Sequence, residues 1–202
     1  MAGFSEQNTV QAWLIARLVE LGWEHVPGAE LPRTKTDPII EEWAIEALEL
    51  MNPALQGAPE RVEEVLPIVR SAVLAAASEG LLAANERMVQ LLRGQHTVKY
   101  QGTDDYVPLR LIDFEDLSNN HFAVSGPLPG TKNAIADEVT FGAPGKERRF
   151  DVVLWVNGFP LVTIETNSST LWVVMNAVKA PAAAASQTAF ARSCCGAAVS
   201  SA

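Results

Sequence analysis

The sequence predicts an α/β fold, N-terminal helices packed on a mixed β-sheet, and three observations carry that prediction. Up to Gly94 the apolar residues recur at helical spacing. From Thr97 the chain changes to β-branched and aromatic runs, T-V-K-Y-Q and later Y-V-P-L-R-L-I-D-F, which suit pleated strands. Finally, Phe150 to Asn167 reads F-D-V-V-L-W-V-N-G-F-P-L-V-T-I-E-T-N, two apolar runs flanking Asn157-Gly158, a strong short-range signal for a β-hairpin.

Each element has its own signal. Val10, Leu14, Leu18 and Leu21 place a helix at about Thr9 to Leu21, with Trp13 and Ile15 widening its buried stripe and Gly22 as its stop. A short strand follows at Trp23 to Val26, then a polar loop from Gly28 to Thr36. Asp37-Pro38 reads as the N-cap and first turn of a second helix, whose apolar side is Ile39, Trp43, Ile45, Leu48 and Met51 and which Asn52-Pro53 ends. A third helix starts at Pro59, and Pro67 either kinks it or begins a new one extending through Ala77. Leu81 to Leu92 is a further helix with Gly94 as its C-terminal cap. Strands are expected at Thr97 to Gln101, Pro108 to Phe114 and His121 to Ser125, and Gly126 to Glu147, rich in Gly and Pro, reads as a surface loop.

At 202 residues, with 48% hydrophobic and 19% charged residues, the chain suits one domain with a sizeable core. A net charge of −9 excludes a generally basic nucleic-acid binder, so any contact with DNA must use a local patch. Lys146, Arg148 and Arg149 form one small basic cluster just before Asp151, to be read either as a solvated loop or as a phosphate contact. No apolar run reaches the roughly eighteen residues of a membrane span, and no secretory leader opens the chain, so no membrane partner and a cytoplasmic location are expected. His25, His96 and His121 lack metal-ligand spacing, and the adjacent Cys194-Cys195 suit neither a disulfide framework nor a zinc site.

The hairpin carries the chemistry. Asp151 and Glu165 are an even number of residues apart, so they share a face only if the loop between the strands holds an odd number. The expected solution is a three-residue loop, Val156-Asn157-Gly158, with Gly158 forming a bulge. That register puts Asp151, Val153, Trp155, Leu161, Thr163, Glu165 and Asn167 on one face, and Phe150, Val152, Leu154, Val156, Pro160, Val162 and Ile164 on the other. Two converging carboxylates raise each other's pKa unless a cation sits between them, and hard oxygen ligands of this kind suit Mg²⁺.

The ordered series Leu109-Arg110-Leu111-Ile112-Asp113-Phe114, Asn119-Asn120-His121-Phe122-Ala123-Val124-Ser125 and Asp151 through Val156-Asn157-Gly158-Phe159-Pro160-Leu161-Val162 to Glu165 resembles the N-terminal nuclease domain of type I restriction enzyme R (motor) subunits, in the PD-(D/E)xK superfamily. The resemblance runs over roughly Phe4 to Thr166. It implies a restriction-endonuclease-like core, Asp151 and Glu165 as Mg²⁺ ligands, DNA as substrate, and methylation and specificity subunits as partners. The family's glutamate early in its first helix falls near Gln11, with Glu6 the other candidate.

ATP belongs to the family's motor domains, and this chain has no Gly-rich phosphate loop ending in Lys-Ser or Lys-Thr. The departure is at Asn167, where the family has its catalytic lysine: an amide offers a donor dipole but no charge. Losing such a group commonly costs about 3 kcal/mol or more, roughly a hundredfold in rate, so cleavage by this chain is expected to be weak or absent.

Residues 1–167 are therefore expected to be an incomplete endonuclease domain and 168–202 a divergent Ala/Ser-rich tail, with four consecutive alanines at Ala182 to Ala185. A frame shift near Glu165 is one account of the tail, the helicase and translocase domains being absent. The alternative to a metal-dependent nuclease is an inactive remnant or a subunit-interaction module.

Overall fold

The computed structural model describes residues 6–74, 79–100, 104–127, 138–142, 144–167 and 170–175. Among them, helices α1 (Glu6–Glu20), α2 (Glu41–Met51), α3 (Pro59–Leu74) and α4 (Leu81–Leu92) accompany a five-stranded sheet. That sheet has the order β1 (Glu24–His25), β4 (Phe122–Ser125), β7 (Val152–Val156), β8 (Phe159–Asn167) and β9 (Thr170–Met175). It is mixed, since β1 pairs with β4 in parallel and the later neighbours are antiparallel. Two small ribbons stand apart, β2 (Thr97–Val98) with β3 (Val107–Pro108), and β5 (Val139–Phe141) with β6 (Arg148–Phe150). The α/β class is as expected.

The sheet is covered on both faces. Ile15 and Leu18 of α1 pack on Val124, Val152 and Ile164, while Leu31, Ile40 and Val139 pack with Ala123, Val153 and Trp155 on the other side. The helix stripe is rotated from the expected one: Gln11, Ala12, Ile15 and Leu18 are buried, whereas Val10, Trp13 and Leu21 are exposed. The sheet contact centres on Ile15 and Leu18, so the residue at 11 turns inward and those at 10, 13 and 21 turn outward. Pro67 lies inside α3 without ending it.

Helix α2 begins later than Asp37-Pro38, at Glu41, with no side-chain cap. Its start is fixed from elsewhere, by the Ile40 N–H donating to the Gly158 carbonyl at 2.9 Å. Asp37 instead accepts from the Thr34 hydroxyl at 2.8 Å.

Two strand expectations are corrected. Thr97–Val98 pairs with Val107–Pro108 outside the main sheet, and Leu109 to Phe114 is not a strand at all, although Leu109, Leu111 and Ile112 are buried. Side-chain amides take the place of a neighbouring strand. Asn52 accepts from the Arg110 N–H at 2.9 Å and donates to the Arg110 carbonyl at 2.8 Å. Asn120 does the same for Asp113, at 2.9 and 2.7 Å. Buried backbone groups need partners, and here asparagines supply them.

Candidate active site

The hairpin turn differs from the expected one. Val156 pairs with Phe159, which leaves a two-residue turn, Asn157-Gly158, with φ of 53° and 80°. Positive φ at both positions is the turn whose twist matches the strands it joins. A regular hairpin closed this way would put Asp151 and Glu165 on opposite faces. The bulge lies instead inside β8: Leu154 pairs with Val162 and Trp155 with Pro160, so Leu161 is the extra residue. It moves Pro160 to the Trp155 side, while Leu161 packs with Val156 and Phe159. Beyond it Val153 pairs with Thr163 and Val152 with Ile164, the last pair of the ladder, and Asp151, a bend between β6 and β7, lies near enough to Glu165 for their charges to interact.

Gly158 cannot be displaced from this turn, because a Cβ there would lie 2.3 Å from the Ile40 carbonyl oxygen. Asn157 is fully buried; its amide donates to the Leu111 carbonyl and to Asn120 Oδ1, both at 2.8 Å, and accepts from the His121 N–H at 2.8 Å. The R-L-I-D-F, N-N-x-F and V-N-G segments therefore meet in one polar network at the turn end of the sheet. They are architectural and lie far from the acids.

At the other end, Asp151 is the bend between β6 and β7. Val139 pairs with Phe150, the last pair of the β5–β6 ribbon, and Glu138 and Asp151 adjoin that pair. Burial holds Glu165 above the usual carboxylate range, and the Asp151 and Glu138 charges push it further. Glu138 is raised too, by burial first; Arg149 opposes the rise, its Nε 3.4 Å from Glu138 Oε2, and Asp151 adds to it. Glu138 was read as part of a surface loop, yet it borders a strand. The alternation of Val139 and Phe141, the Gly-Pro-rich turn and Phe150 were the signal for this second hairpin.

Two further residues shape this end. Gly126 closes β4 against Asp151, where a Cβ would stand 2.6 Å from the Asp151 carbonyl oxygen. Arg33, also not singled out from sequence, lies 4.1 Å over the Phe141 ring and 5.4 Å from that of Trp155. It donates to the Thr140 carbonyl at 2.6 Å and the Asp37 carbonyl at 2.7 Å, tying the 28–37 loop to the ribbon. Burial lowers its pKa to about 10, against the pull of Asp37.

Among the other expected site residues, Gln11 is buried on α1, one turn before Ile15. The side chains of Glu6 and Asn167 lie outside the described residues, although the Asn167 backbone continues β8 and pairs with Thr170. The basic cluster is divided: Lys146 and Arg148 are exposed, and Arg149 pairs with Glu138. His121 pairs with Glu24 at 2.7 Å and packs edge-on against Trp43, and His25 Nε2 is 2.9 Å from the Gly126 carbonyl, so both serve the fold. Among the described residues no group of three or more His, Cys, Asp and Glu side chains is arranged to hold a metal ion, and no helix is long and apolar enough to cross a membrane.

The family model for the type I restriction enzyme R protein N terminus matches residues 3–189. The chain belongs to that family. It is also similar to the HindI type I restriction enzyme endonuclease subunit of Haemophilus influenzae, 30% identical over 169 residues. The alignment takes in 79% of this chain and 14% of that subunit, so the chain spans about one-seventh of that relative's length. No solved structure matches it. The family match passes Asn167 and continues through β9, the sheet strand that follows it.

Proposed function

We propose that Asp151 and Glu165 are a two-carboxylate Mg²⁺ site and that this domain, a restriction-endonuclease-like core, is the nuclease portion of a type I restriction enzyme. Its substrate is DNA, and its partners in the complex are methylation and specificity subunits. What supports the reading is the last pair of the hairpin ladder, Val152 with Ile164, whose adjoining residues Asp151 and Glu165 lie at its open end, near enough for the Asp151 charge to act on Glu165. The donor set fits the ion. Half-buried carboxylates that repel one another gain from a cation between them, and Mg²⁺ commonly takes one or two carboxylates and keeps several waters. Two acids are then enough, without a third protein ligand.

Bound Mg²⁺ supplies Lewis-acid polarisation of a phosphoryl oxygen and a more acidic water. Asp151, at the bend before β7, and Glu165, on its hydrogen-bonded neighbour β8, would hold that charge in place. Position 167, two residues beyond Glu165, is where the family places the lysine that stabilises charge building on the phosphate, and asparagine brings none. Metal binding is thereby retained and hydrolysis is reduced to near background. The second reading, an inactive remnant or subunit-interaction module, is favoured by Asn167 and by the Ala/Ser-rich tail.

Mn²⁺ binding followed by electron paramagnetic resonance, beside Mg²⁺-dependent nicking of plasmid DNA, tests this. Weak metal binding that disappears in Asp151→Ala, with cleavage near background and increased by Asn167→Lys, is the expected result. Robust cutting by the unmodified chain, abolished by Glu165→Ala, overturns the role given to Asn167; absence of metal binding overturns the site.

A further inference from the structure

We infer that Arg149 is the residue that engages a DNA backbone phosphate beside the acid pair, and that Glu138 holds it in place until the phosphate arrives. The inference rests on the metal-site reading above and adds to it the cation that the acid end needs. Within the β5–β6 ribbon Arg149 pairs with Thr140 on one face, while Phe150 with Val139 and Arg148 with Phe141 take the other. Glu138 and Asp151 adjoin the last pair of that ribbon, and their charges interact. The contact between Arg149 Nε and Glu138 Oε2, 3.4 Å long, sets the guanidinium beside Glu138 and so at the acid end of the hairpin.

The pair is also of the right strength. Its Arg149 side chain is 55% exposed, and a half-exposed ion pair contributes little, so a phosphate can displace it. The guanidinium presents a planar fork that matches two phosphate oxygens, which a point charge does not. A chain of net charge −9 repels DNA at long range, and a cation seated next to the carboxylates answers that repulsion where the strand must approach. Glu138 is a positioning residue: it acts on the substrate only through Arg149. Arg33 anchors the ribbon that carries both, through the Thr140 carbonyl and the Phe141 ring.

Binding of a short fluorescein-labelled DNA duplex in Mg²⁺, measured by anisotropy over a salt series, tests the assignment. Arg149→Ala is expected to weaken binding about tenfold and to lower the slope of log affinity against log salt by about one, with Arg149→Lys recovering part of the loss. Arg148→Ala removes the same charge from the other face and is expected to leave affinity within about twofold. Equal losses in the two alanine variants, or none in either, overturn the inference, since net charge rather than position would then set the affinity. Mn²⁺ binding measured on the same samples separates the two readings. Metal bound by wild type and by Arg149→Ala, but no DNA bound by either, overturns the role of Arg149 and leaves the metal site standing. Failure to bind metal overturns the site and, with it, the inference. Far-UV circular dichroism of each variant identifies any that does not fold.

Discussion

At the Asn157-Gly158 end of the β7–β8 hairpin, polar side chains are tied to backbone groups of neighbouring segments, whereas at the Asp151–Glu165 end they crowd one another. Asn157, Asn120 and Asn52 supply donors and acceptors to otherwise unpartnered loop backbone, and the turn glycine seats the first residues of α2. Glu138, Asp151 and Glu165 bring like charges together on partly buried strands. The first arrangement lowers the energy of the folded chain by itself. The second raises it, and becomes favourable only with a cation present. A stable end and a costly end on one hairpin teach that the turn network supplies the rigidity against which the acids are held.

Breaking the stable end gives the largest effect. Gly158→Ala sets a methyl group into the Ile40 carbonyl in a backbone conformation that L side chains rarely adopt. A loss of about 3 kcal/mol or more is expected by urea unfolding, from strain and overpacking together. Asn157→Ala comes next: the Leu111 carbonyl and the His121 N–H lose buried partners, at about 2–4 kcal/mol in the same measurement. Comparable stability of either variant and wild type would mean that the hairpin is not anchored at its turn.

The acid end responds in the opposite sense and by less. Glu165→Gln removes a charge that burial and its neighbours disfavour, so the metal-free protein should be as stable as wild type or slightly more so, while Mn²⁺ binding is lost. A clear destabilisation would show that the carboxylate does structural work.

Acidity sharpens the contrast. Glu165 has a folded pKa above its unfolded value, so the native state holds the proton more tightly. Its contribution improves as pH falls through the raised folded pKa toward the ordinary glutamate range. Asp113, at the turn end, has a lowered pKa, from the Asn119 side chain first and then the Asp116 and Glu115 N–H groups. Its contribution is present above the ordinary aspartate range and is lost as pH falls through the depressed value. Thermal unfolding of Glu165→Gln and Asp113→Asn against pH should therefore differ from wild type with opposite slopes, each difference small. Slopes of the same sign would dissolve the distinction between the two ends.

Much of this was legible in the sequence. Asn157-Gly158 announced the hairpin, and the even spacing of Asp151 and Glu165 required one irregularity between them. Where that irregularity sits was not legible, because it depends on Gly158 being locked to α2, a contact between segments more than a hundred residues apart. The same limit applies to Leu109 to Phe114, whose composition suits a strand but whose backbone partners are asparagine side chains from elsewhere. Glu138 was hidden by the Gly-Pro-rich stretch around it, and the pairing of Arg149 with it could follow only from the ribbon register.

The extra residue at Leu161 bears on how such a domain can diverge. Substitution along β7 and β8 changes one side chain at a time, whereas a single residue gained or lost between Asp151 and Glu165 leaves the later register intact only where the ladder takes it up as a bulge. Relatives that keep both acids and this two-residue turn but are one residue shorter here should have a regular hairpin in place of the bulge. Leu161 is the residue that such a change would remove: without it Trp155 with Pro160 and Leu154 with Val162 become consecutive pairs, and the segment leading to Glu165 keeps its partners.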